Sequence, residues 1–430
     1  MATGYDEKEG FVMKISIIGA GSSYTPELIE KFAEVSESLP VKNITLMDID
    51  LKRLDTVYSY CLRYARHIGL KSEINCTDDL DEAVYGSSFV NTQIRVGGNF
   101  GRIKDEKIPL SMGIIGQETT GPGGFMKALR TIPAMLEISD SILHNAPDAW
   151  MINYANPTGI ISQALHDHTD VKCAALCAGG LRPAWNVSRA LGVNADDVRY
   201  DMFGLNHLNY AYNISIRGRP ITRSEFEKVA AGEDPVLSDI SIKIGALLSG
   251  YLQYYYRRRK TLEKLQNSEK TRGEEVLELE KDIYDDFLNP GITGKPDSLA
   301  KRGGGGYSQV AVGVMDAIHN NRDMWHVINV PNNGVFKFLP DNAVVETAVI
   351  VNAGGIKPII ADPPPKAVWG LVSMVKNYEM LTSEAAVTGD YDTALLALMH
   401  HPLVTDYDTA KELFDKMLEA NKEHLQRFFR

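Results

Sequence analysis

The sequence predicts an α/β fold whose first two hundred residues form a doubly wound parallel sheet. Apolar runs rich in β-branched residues alternate with segments of helical spacing from residue 13 onward. The first apolar run passes through a turn with two glycines into a segment where Thr25 and Pro26 suit a helix N-terminus. No internal repeat or low-complexity linker interrupts the alternation, so we expect strand-helix-strand units with right-handed connections.

The turn after the first strand, residues 19–24 (GAGSSY), has much of the pattern of a dinucleotide-binding loop. Such a turn aims backbone N–H groups and the positive end of a helix dipole at a phosphate. Tyr24 replaces the third glycine of the G-x-G-x-x-G pattern, so an ordinary tight turn is the alternative interpretation. A second apolar run ends in Asp48, about where an acidic residue would bind an adenosine ribose hydroxyl.

Together these two segments favour a Rossmann-like NAD site. NAD is favoured over NADP because no arginine directly follows Asp48. The residues predicted to hold the cofactor are Gly19, Gly21, Ser22, Ser23 and Asp48.

The remaining elements of the first half follow in order. Helical spacing predicts helices over residues 51–68, 78–85, 126–143 and 160–168. Apolar runs predict strands over residues 73–76, 89–96, 149–154 and 171–177. Ligands of such sheets bind outside the carboxyl ends of the strands, so polar residues at those ends are candidate ligand contacts.

Two polar residues stand at such strand ends. Arg95 precedes a glycine pair, and Asn156 lies in the turn after the strand that ends at Tyr154. Between them, residues 114–125 are rich in glycine, and a loop of this composition lets backbone approach a ligand closely. A flexible surface loop is the alternative interpretation of that segment.

The pattern changes after residue 200, and the second half predicts an α+β domain. It contains predicted strands over 324–330 and 343–351, and predicted helices over 243–260, 268–287, 367–381, 391–399 and 408–428. A glycine loop that contains Arg302 precedes a helix ending at residue 318. We therefore divide the chain into an N-terminal extension at 1–12, an NAD-binding domain at 13–200, and a domain for substrate, metal and oligomer contacts at 201–430.

The composition limits the partners of the protein. A formal net charge of −11 disfavours nucleic acid and anionic membranes, so a phosphate would need a local cluster of arginines. No run of eighteen apolar residues and no signal-peptide core is present, which predicts a cytoplasmic protein. The four cysteines fit a reducing compartment without a disulfide framework.

Cys177 and His207 are the candidate metal ligands. Cys177 stands at a strand end, and His207 lies in a turn shortly after an apolar run. Two protein ligands would leave positions for substrate oxygens, which favours an open site for a Mn²⁺-like ion over a closed zinc site. Taken singly, a core cysteine and a structural histidine are the ordinary alternatives.

A cluster of tyrosines lies within the predicted helix at 243–260. Its spacing turns Tyr251 and Tyr255 inward and Tyr256 outward, and most such tyrosines are packing residues. A free tyrosine is only about one part in a thousand phenolate at pH 7. A tyrosine acting as a base would therefore need a nearby cation.

Seven segments, taken in order, resemble glycoside hydrolase family 4, and the similarity covers nearly the whole chain from Met13. Among the members of this family, the sequence looks most like the 6-phospho-β-glucosidases. The segments are GAGSSYTPEL (19–28), RVGG (95–98), IPL (108–110), GQETTGPGG (116–124), NP (156–157), GLNHL (204–208) and YLQYY (251–255).

The resemblance implies an NAD-dependent hydrolysis of phosphorylated glycosides, an exception to the usual two-carboxylate chemistry. NAD⁺ would oxidise C3 of the sugar, Tyr251 would remove the C2 proton, and the aglycone would leave from C1 before water adds and the hydride returns. Cys177 and His207 would hold Mn²⁺ or another divalent ion. The resemblance also implies an architecture like that of lactate and malate dehydrogenases, and a homodimer or homotetramer.

The same resemblance places the substrate contacts. Arg95 and Asn156 match sugar-binding positions, and Arg272 matches an arginine that meets the 6-phosphate. We add Arg302 as a further candidate because of its glycine loop. A solvated charge on a helix or loop is the alternative interpretation of the two later arginines.

The residue after the proposed metal cysteine departs from the family pattern. Members that cut α linkages tend to carry Asp there and β-specific members tend to carry Asn, whereas this chain has Ala178. The absence of Asp disfavours a 6-phospho-α-glucosidase, which stays the alternative. Two further alternatives are an NAD-dependent hydroxy-acid dehydrogenase and a non-catalytic sensor of sugar phosphates.

Overall fold

The computed structural model describes residues 13–232, 234–301, 306–404 and 406–429. The predicted extension at residues 1–12 and the candidate phosphate contact Arg302 lie outside these ranges. Within them, no helix is both long enough and apolar enough to span a bilayer.

Thirteen strands occur in the described part of the chain. They are β1 (Lys14–Ile18), β2 (Asn43–Met47), β3 (Glu73–Thr77), β4 (Phe89–Thr92), β5 (Trp150–Asn153), β6 (Lys172–Ala175), β7 (Val198–Leu205), β8 (Leu208–Ile216), β9 (Arg219–Pro220), β10 (Leu247–Leu248), β11 (Met324–Pro331), β12 (Val344–Asn352) and β13 (Gly355–Pro358).

Seventeen α-helices accompany these strands within the same ranges. They are α1 (Thr25–Glu34), α2 (Leu51–Ile68), α3 (Leu80–Val84), α4 (Gly98–Ser111), α5 (Gly121–Asn145), α6 (Thr158–His168), α7 (Arg182–Leu191), α8 (Arg223–Ala230), α9 (Pro235–Ile244), α10 (Gln253–Tyr256), α11 (Arg258–Gln266), α12 (Arg272–Leu288), α13 (Asp297–Lys301), α14 (Tyr307–His319), α15 (Trp369–Thr388), α16 (Tyr391–His400) and α17 (Tyr407–Ala420).

Nine of the strands form one sheet in the order β13-β12-β11-β6-β5-β4-β1-β2-β3. The six strands from the first half are parallel, and their order from the edge, 3-2-1-4-5-6, is that of a doubly wound dinucleotide-binding sheet. Helices bury both faces, so Ile15, Ser16 and Ile17 of β1 are all fully buried. The predicted fold class is confirmed.

The large sheet draws on both halves of the chain. Strand β11 pairs antiparallel with β12 along eight residue pairs and meets β6 at Asn329. The second-half strands predicted at 324–330 and 343–351 therefore extend the first-half sheet rather than forming a separate one. The division of the chain at residue 200 stays a prediction.

Two helices differ from the sequence prediction around the first candidate site. Helix α4 follows Gly97 directly, where the sequence predicted only the end of a strand. Helix α5 begins at Gly121, five residues before the predicted start, so the last five of the twelve residues in the glycine-rich segment are helical. Helical periodicity did not reveal the start of α5, because glycine and proline fill its first turn, where close packing requires small residues.

The predicted helix at 243–260 is wrong. Helix α9 ends at Ile244 because Gly245 adopts a left-handed conformation with φ of 78°. Residues 247–248 then pair as β10 with β8, and residues 250–252 form a 3₁₀ turn before α10. Tyr251 therefore lies on this turn, and Tyr256, predicted to point outward, places its hydroxyl 2.8 Å from the Tyr210 hydroxyl.

Helix α12 packs its apolar face against helix α2 in the first half of the chain. The Phe287 ring stacks on the Tyr60 ring of α2 with centroids 4.3 Å apart, and only 1% of Phe287 is exposed. The next residue, Leu288, is 63% exposed. Substituting Phe287 and Leu288 in turn therefore distinguishes a loss of core packing from a change in helix composition.

We expect Phe287→Ala to lower the free energy of unfolding by about 3–5 kcal/mol, because it removes a buried ring and leaves a cavity. The matched change Leu288→Ala should cost less than about 0.5 kcal/mol, since that side chain is mostly in water. Urea unfolding of both variants measures the difference. Equal losses would show that Phe287 does not anchor α12.

Candidate active site

A cavity of about 1250 Å³ lies at the carboxyl ends of the parallel strands. Gly19, Ser22 and Asp48 line it at one end, and Arg95 and Asn156 line it further along. The sequence therefore predicted correctly which strand ends meet around one cavity. The cofactor and substrate roles of these residues stay predictions at this stage.

The turn after β1 requires glycine at its first position. Gly19 has φ of 85°, and a Cβ there would meet the Gln93 carbonyl carbon at 3.0 Å, so only glycine fits. The Gly21 N–H donates to Asp48 Oδ2 at 2.8 Å, which ties the turn to the end of β2. Ser23 is fully buried, does not line the cavity, and its hydroxyl has no hydrogen-bond partner among the described residues.

The structure brings Cys177 and His207 together. Cys177 lies just beyond β6, and His207 occupies the two-residue turn between β7 and β8 with φ of 67°. Their Sγ and Nε2 atoms are 3.7 Å apart. Both side chains are buried, which raises the pKa of Cys177 to about 11 and lowers the pKa of His207 to about 3.

The hairpin that carries His207 is fixed to the large sheet through Glu346 of β12. The Asn206 and Asn209 side-chain amides donate to its two carboxylate oxygens, the former at 3.2 Å. Burial raises the pKa of Glu346 to about 7, against the effect of the two amides. The turn position of His207 is therefore set by contacts of Asn206, which precedes it, and of Asn209, two residues after it.

Tyr251 lies against His207. The two rings are parallel within 2°, with centroids 3.8 Å apart. Burial raises the pKa of Tyr251 above its usual value, and the Cys177 and Glu118 charges add to the effect. A proton therefore stays on the Tyr251 hydroxyl at neutral pH unless a cation comes close.

Glu118 is the anion at the centre of a cluster of three cations, of which Arg102 and Lys127 are buried and Arg95 is partly exposed. It accepts from Arg95 Nη1 at 2.6 Å and Lys127 Nζ at 3.0 Å, and it lies 3.1 Å from Arg102 Nη1. Burial opposes its ionisation, but these three cations outweigh that effect and hold its pKa well below the usual range. Burial also lowers the pKa of Lys127 to about 7.

The structure separates Arg272 from the other predicted contacts. Arg272 is the first residue of α12, its side chain is about half exposed, and Nη1 donates to Glu275 at 2.8 Å. It does not line the large cavity. The backbone N–H of its neighbour Gly273 donates to Glu106. Glu106 pairs with Arg102, which also contacts Glu118. The start of α12 therefore lies beside the Glu118 cluster.

Sequence reasoning missed Glu118, Lys127 and Tyr307 as individual site residues. Tyr307 lines the cavity, its hydroxyl hydrogen-bonds Cys177, and its ring lies 6.5 Å from that of Tyr24 in the glycine turn. Tyr307 thus connects the nucleotide loop to the Cys177–His207 pair. The signal was present, since each of the three lies in or next to a glycine-rich segment.

Cys177 and His207 fit the binding of one cation. Ligand atoms that share an ion at about 2.0–2.3 Å lie roughly 3–4 Å apart, which includes the observed separation. Among the described residues, no third His, Cys, Asp or Glu joins them. Such a set suits an open site in which substrate or water oxygens complete the coordination, rather than a closed structural site.

Two family models match the chain. Family 4 glycosyl hydrolase matches residues 14–192, and Family 4 glycosyl hydrolase C-terminal domain matches residues 202–404.

Curated relatives are similar over nearly their whole length. The chain is 37% identical to a probable 6-phospho-beta-glucosidase of Bacillus subtilis, covering 97% of this chain and 98% of the relative. It is also 30% identical to the phospho-alpha-glucosidase PagL of Clostridium acetobutylicum, covering 95% and 97%.

Solved structures agree with these similarities. The 6-phospho-beta glucosidase of Thermotoga maritima, with NAD and glucose-6-phosphate, superposes with a TM-score of 0.90 at 31% identity, covering 96% of this chain and 99% of that one. A second structure of that enzyme contains manganese, NAD⁺ and glucose-6-phosphate. Malate dehydrogenase of Plasmodium falciparum, at 13% identity and a TM-score of 0.55 over 87% of this chain and 100% of that one, shares the fold alone.

We expect Glu118→Gln to destabilise the protein by about 3 kcal/mol, because three cations that share one buried anion would lose it. Glu137→Gln is the matched control, since Glu137 lines the same cavity but is exposed, and it should cost less than about 0.5 kcal/mol. Thermal and urea unfolding measure both. A Glu118 variant as stable as the Glu137 variant would contradict this assignment of the cluster.

Proposed function

The chain belongs to family 4 of the glycosyl hydrolases, and we propose that it hydrolyses glycosides of 6-phosphorylated glucose, with the β linkage preferred. The observation that carries the proposal is the meeting of Cys177 Sγ, His207 Nε2 and the Tyr251 ring beside the nucleotide cavity. Hydrolysis would proceed by NAD-dependent oxidation at C3, removal of the C2 proton and elimination of the aglycone. The two cofactors proposed are NAD and Mn²⁺.

The residues around the glycine turn fit NAD. The loop from β1 to α1 presents backbone to the cavity, and Asp48 lies at the end of β2 where a ribose hydroxyl would bind. Its carboxylate would repel the 2′-phosphate of NADP. Arg53 also lines the cavity, but its guanidinium is already hydrogen-bonded to the Tyr284 hydroxyl and lies 3.7 Å from Glu280.

Cys177 and His207 would hold the divalent ion, with Tyr307 and the Gly179 N–H as hydrogen-bond donors to the sulfur. When bound, NAD⁺ supplies a hydride acceptor for C3 and the ion supplies positive charge at the substrate oxygens. Cys177 must lose its proton to act as a ligand. His207 needs no proton loss, because its low pKa keeps it neutral at pH 7.

Tyr251 would remove the C2 proton. Its ring is stacked on the His207 ring, which places the phenol next to the proposed metal ligand. Burial alone keeps the phenol protonated. A positive charge at the neighbouring ligands would lower its pKa, and this links proton removal to the presence of the ion.

Substrate binding is proposed for Arg95 and Asn156 on the cavity wall and for Arg272 at the start of α12. Arg95 contacts Glu118 directly, whereas Arg272 is next to Gly273, whose N–H reaches the same cluster through Glu106 and Arg102. Assembly into a homodimer or homotetramer and a cytoplasmic location are further parts of the proposal.

The proposed chemistry predicts that hydrolysis in deuterated water places deuterium at C2 of the released sugar phosphate. An aryl 6-phospho-β-glucoside, with NAD⁺ and Mn²⁺ supplied, is the substrate for the assay. Turnover should stop when either cofactor is withheld, and NADH should not accumulate. Hydrolysis without label at C2 would refute the mechanism, and stoichiometric NADH would indicate a net dehydrogenase.

Tyr251→Phe tests the assigned base. Without the phenol, kcat and deuterium incorporation should both fall by about 100-fold or more. Tyr256→Phe is the matched control, because its hydroxyl faces Tyr210 rather than the site, and it should retain activity within about threefold. Equal activity in the two variants would remove Tyr251 from the reaction.

The linkage preference rests on Ala178, which offers no carboxylic acid to protonate the leaving group of an α-glycoside. We therefore expect the β anomer of an aryl glucoside 6-phosphate to exceed the α anomer in kcat/KM by about tenfold or more. Parallel assays of the two anomers measure this ratio. A preference for the α anomer would make the protein a 6-phospho-α-glucosidase.

A further inference from the structure

We propose that Gln117 and Thr119 are positioning residues that fix the tautomer of His207 and aim its Nε2 lone pair at the cation site. The inference rests on the proposed function, since it concerns the ion that Cys177 and His207 would hold. It is carried by a chain of hydrogen bonds that runs from the backbone of the glycine-rich segment through Gln117 and Thr119 to the histidine ring. We call this chain of Gln117 and Thr119 the relay.

The orientation of the Gln117 amide is fixed by its partners. One atom of the amide lies 2.7 Å from the Thr119 backbone nitrogen and 2.7 Å from the Thr120 backbone nitrogen. Backbone N–H groups can only donate, so this atom must be the carbonyl oxygen Oε1 rather than the NH₂ group. The same oxygen lies 2.9 Å from Thr119 Oγ1.

The direction of the next bond follows. A carbonyl oxygen only accepts, so the Thr119 hydroxyl must donate its single proton to Gln117. Thr119 Oγ1 also lies 2.9 Å from His207 Nδ1. Because the hydroxyl proton is already used, Oγ1 can only accept there, and the proton between the two residues belongs to His207 Nδ1.

The His207 tautomer is thereby determined. An imidazole that binds a cation through one ring nitrogen carries its single N–H on the other. With the proton on Nδ1, Nε2 carries the lone pair, and Nε2 is the atom that faces Cys177 Sγ at 3.7 Å. A histidine that donates its other ring N–H to a neighbouring acceptor in this way is oriented, and made more basic, as a metal ligand.

The segment that contains Gln117 and Thr119 is closely packed. Gly123, in the first turn of α5, lies so close to it that a Cβ would be 2.2 Å from the Gln117 backbone carbonyl oxygen. Glu118, between the two relay residues, contacts three cations. These contacts hold the Thr119 acceptor next to His207 Nδ1.

The first test measures Mn²⁺ affinity of the NAD-saturated full-length protein by the loss of the free-ion EPR signal. Thr119→Val keeps the shape of the side chain and removes the acceptor, so the Kd for Mn²⁺ should rise by about 10–100-fold. Thr119→Ser restores the hydroxyl and should return the Kd to within about threefold of wild type.

Thr131→Val is the matched control. Thr131 is fully buried on α5 and its hydroxyl donates to the Lys127 carbonyl at 2.7 Å, so the same substitution removes a comparable hydrogen bond away from His207. The Kd of Thr131→Val for Mn²⁺ should equal that of wild type.

Two outcomes would contradict the proposal. If Thr119→Val binds Mn²⁺ as tightly as wild type while Cys177→Ser does not, the relay is overturned and the cation site stands. If wild type itself does not bind Mn²⁺, both the relay and the proposed cation site fail.

The second test reads the tautomer without any metal. In protein labelled with ¹⁵N-histidine, the His207 resonances, assigned by their loss in His207→Asn, should show a protonated Nδ1 and an unprotonated Nε2. Thr119→Val should shift the population toward Nε2–H, and Thr119→Ser should not. A wild-type His207 with its proton on Nε2 would overturn the relay even if Mn²⁺ binds.

Discussion

The two-residue turn that carries His207 is the constraint on which the site depends. It belongs to a hairpin outside the parallel sheet, yet its imidazole must reach a cysteine at the end of β6. Glu346 holds both sides of the turn, Thr119 holds Nδ1, and the Tyr251 ring covers one face of the imidazole. Because each contact comes from a different segment of the chain, the position of the imidazole ring depends on all of these segments being folded.

The doubly wound sheet explains why these segments converge. Parallel strands end at one edge, and there the turn after β1, Asp48 after β2, Arg95 after β4 and Asn156 after β5 meet around one cavity. The second half contributes β11 to β13 at the sheet edge beside β6, together with the His207 hairpin. The nucleotide loop and the Cys177–His207 pair are therefore neighbours, with Tyr307 between them.

Much of this arrangement could be predicted from the sequence, and the exceptions have physical reasons. Most of the strands follow from apolar runs, and the doubly wound class follows from their alternation with helices, whereas the strand order comes from the structure. The helix predicted at 243–260 failed because Gly245 ends α9, so Tyr251 owes its position to a 3₁₀ turn rather than to helical spacing. The Glu118 cluster could not be predicted, because its cations lie 9 to 23 residues away and only the folded chain shows that they share one carboxylate.

Every part of the proposed site depends on Cys177 and His207 binding one cation beside the cavity. X-ray absorption at the manganese edge of the protein loaded with Mn²⁺ and NAD⁺ tests this binding, because sulfur and nitrogen neighbours scatter differently. We expect one sulfur neighbour, together with nitrogen and oxygen ligands, and loss of the sulfur contribution in Cys177→Ser. A shell made only of nitrogen and oxygen in the unaltered protein would contradict it.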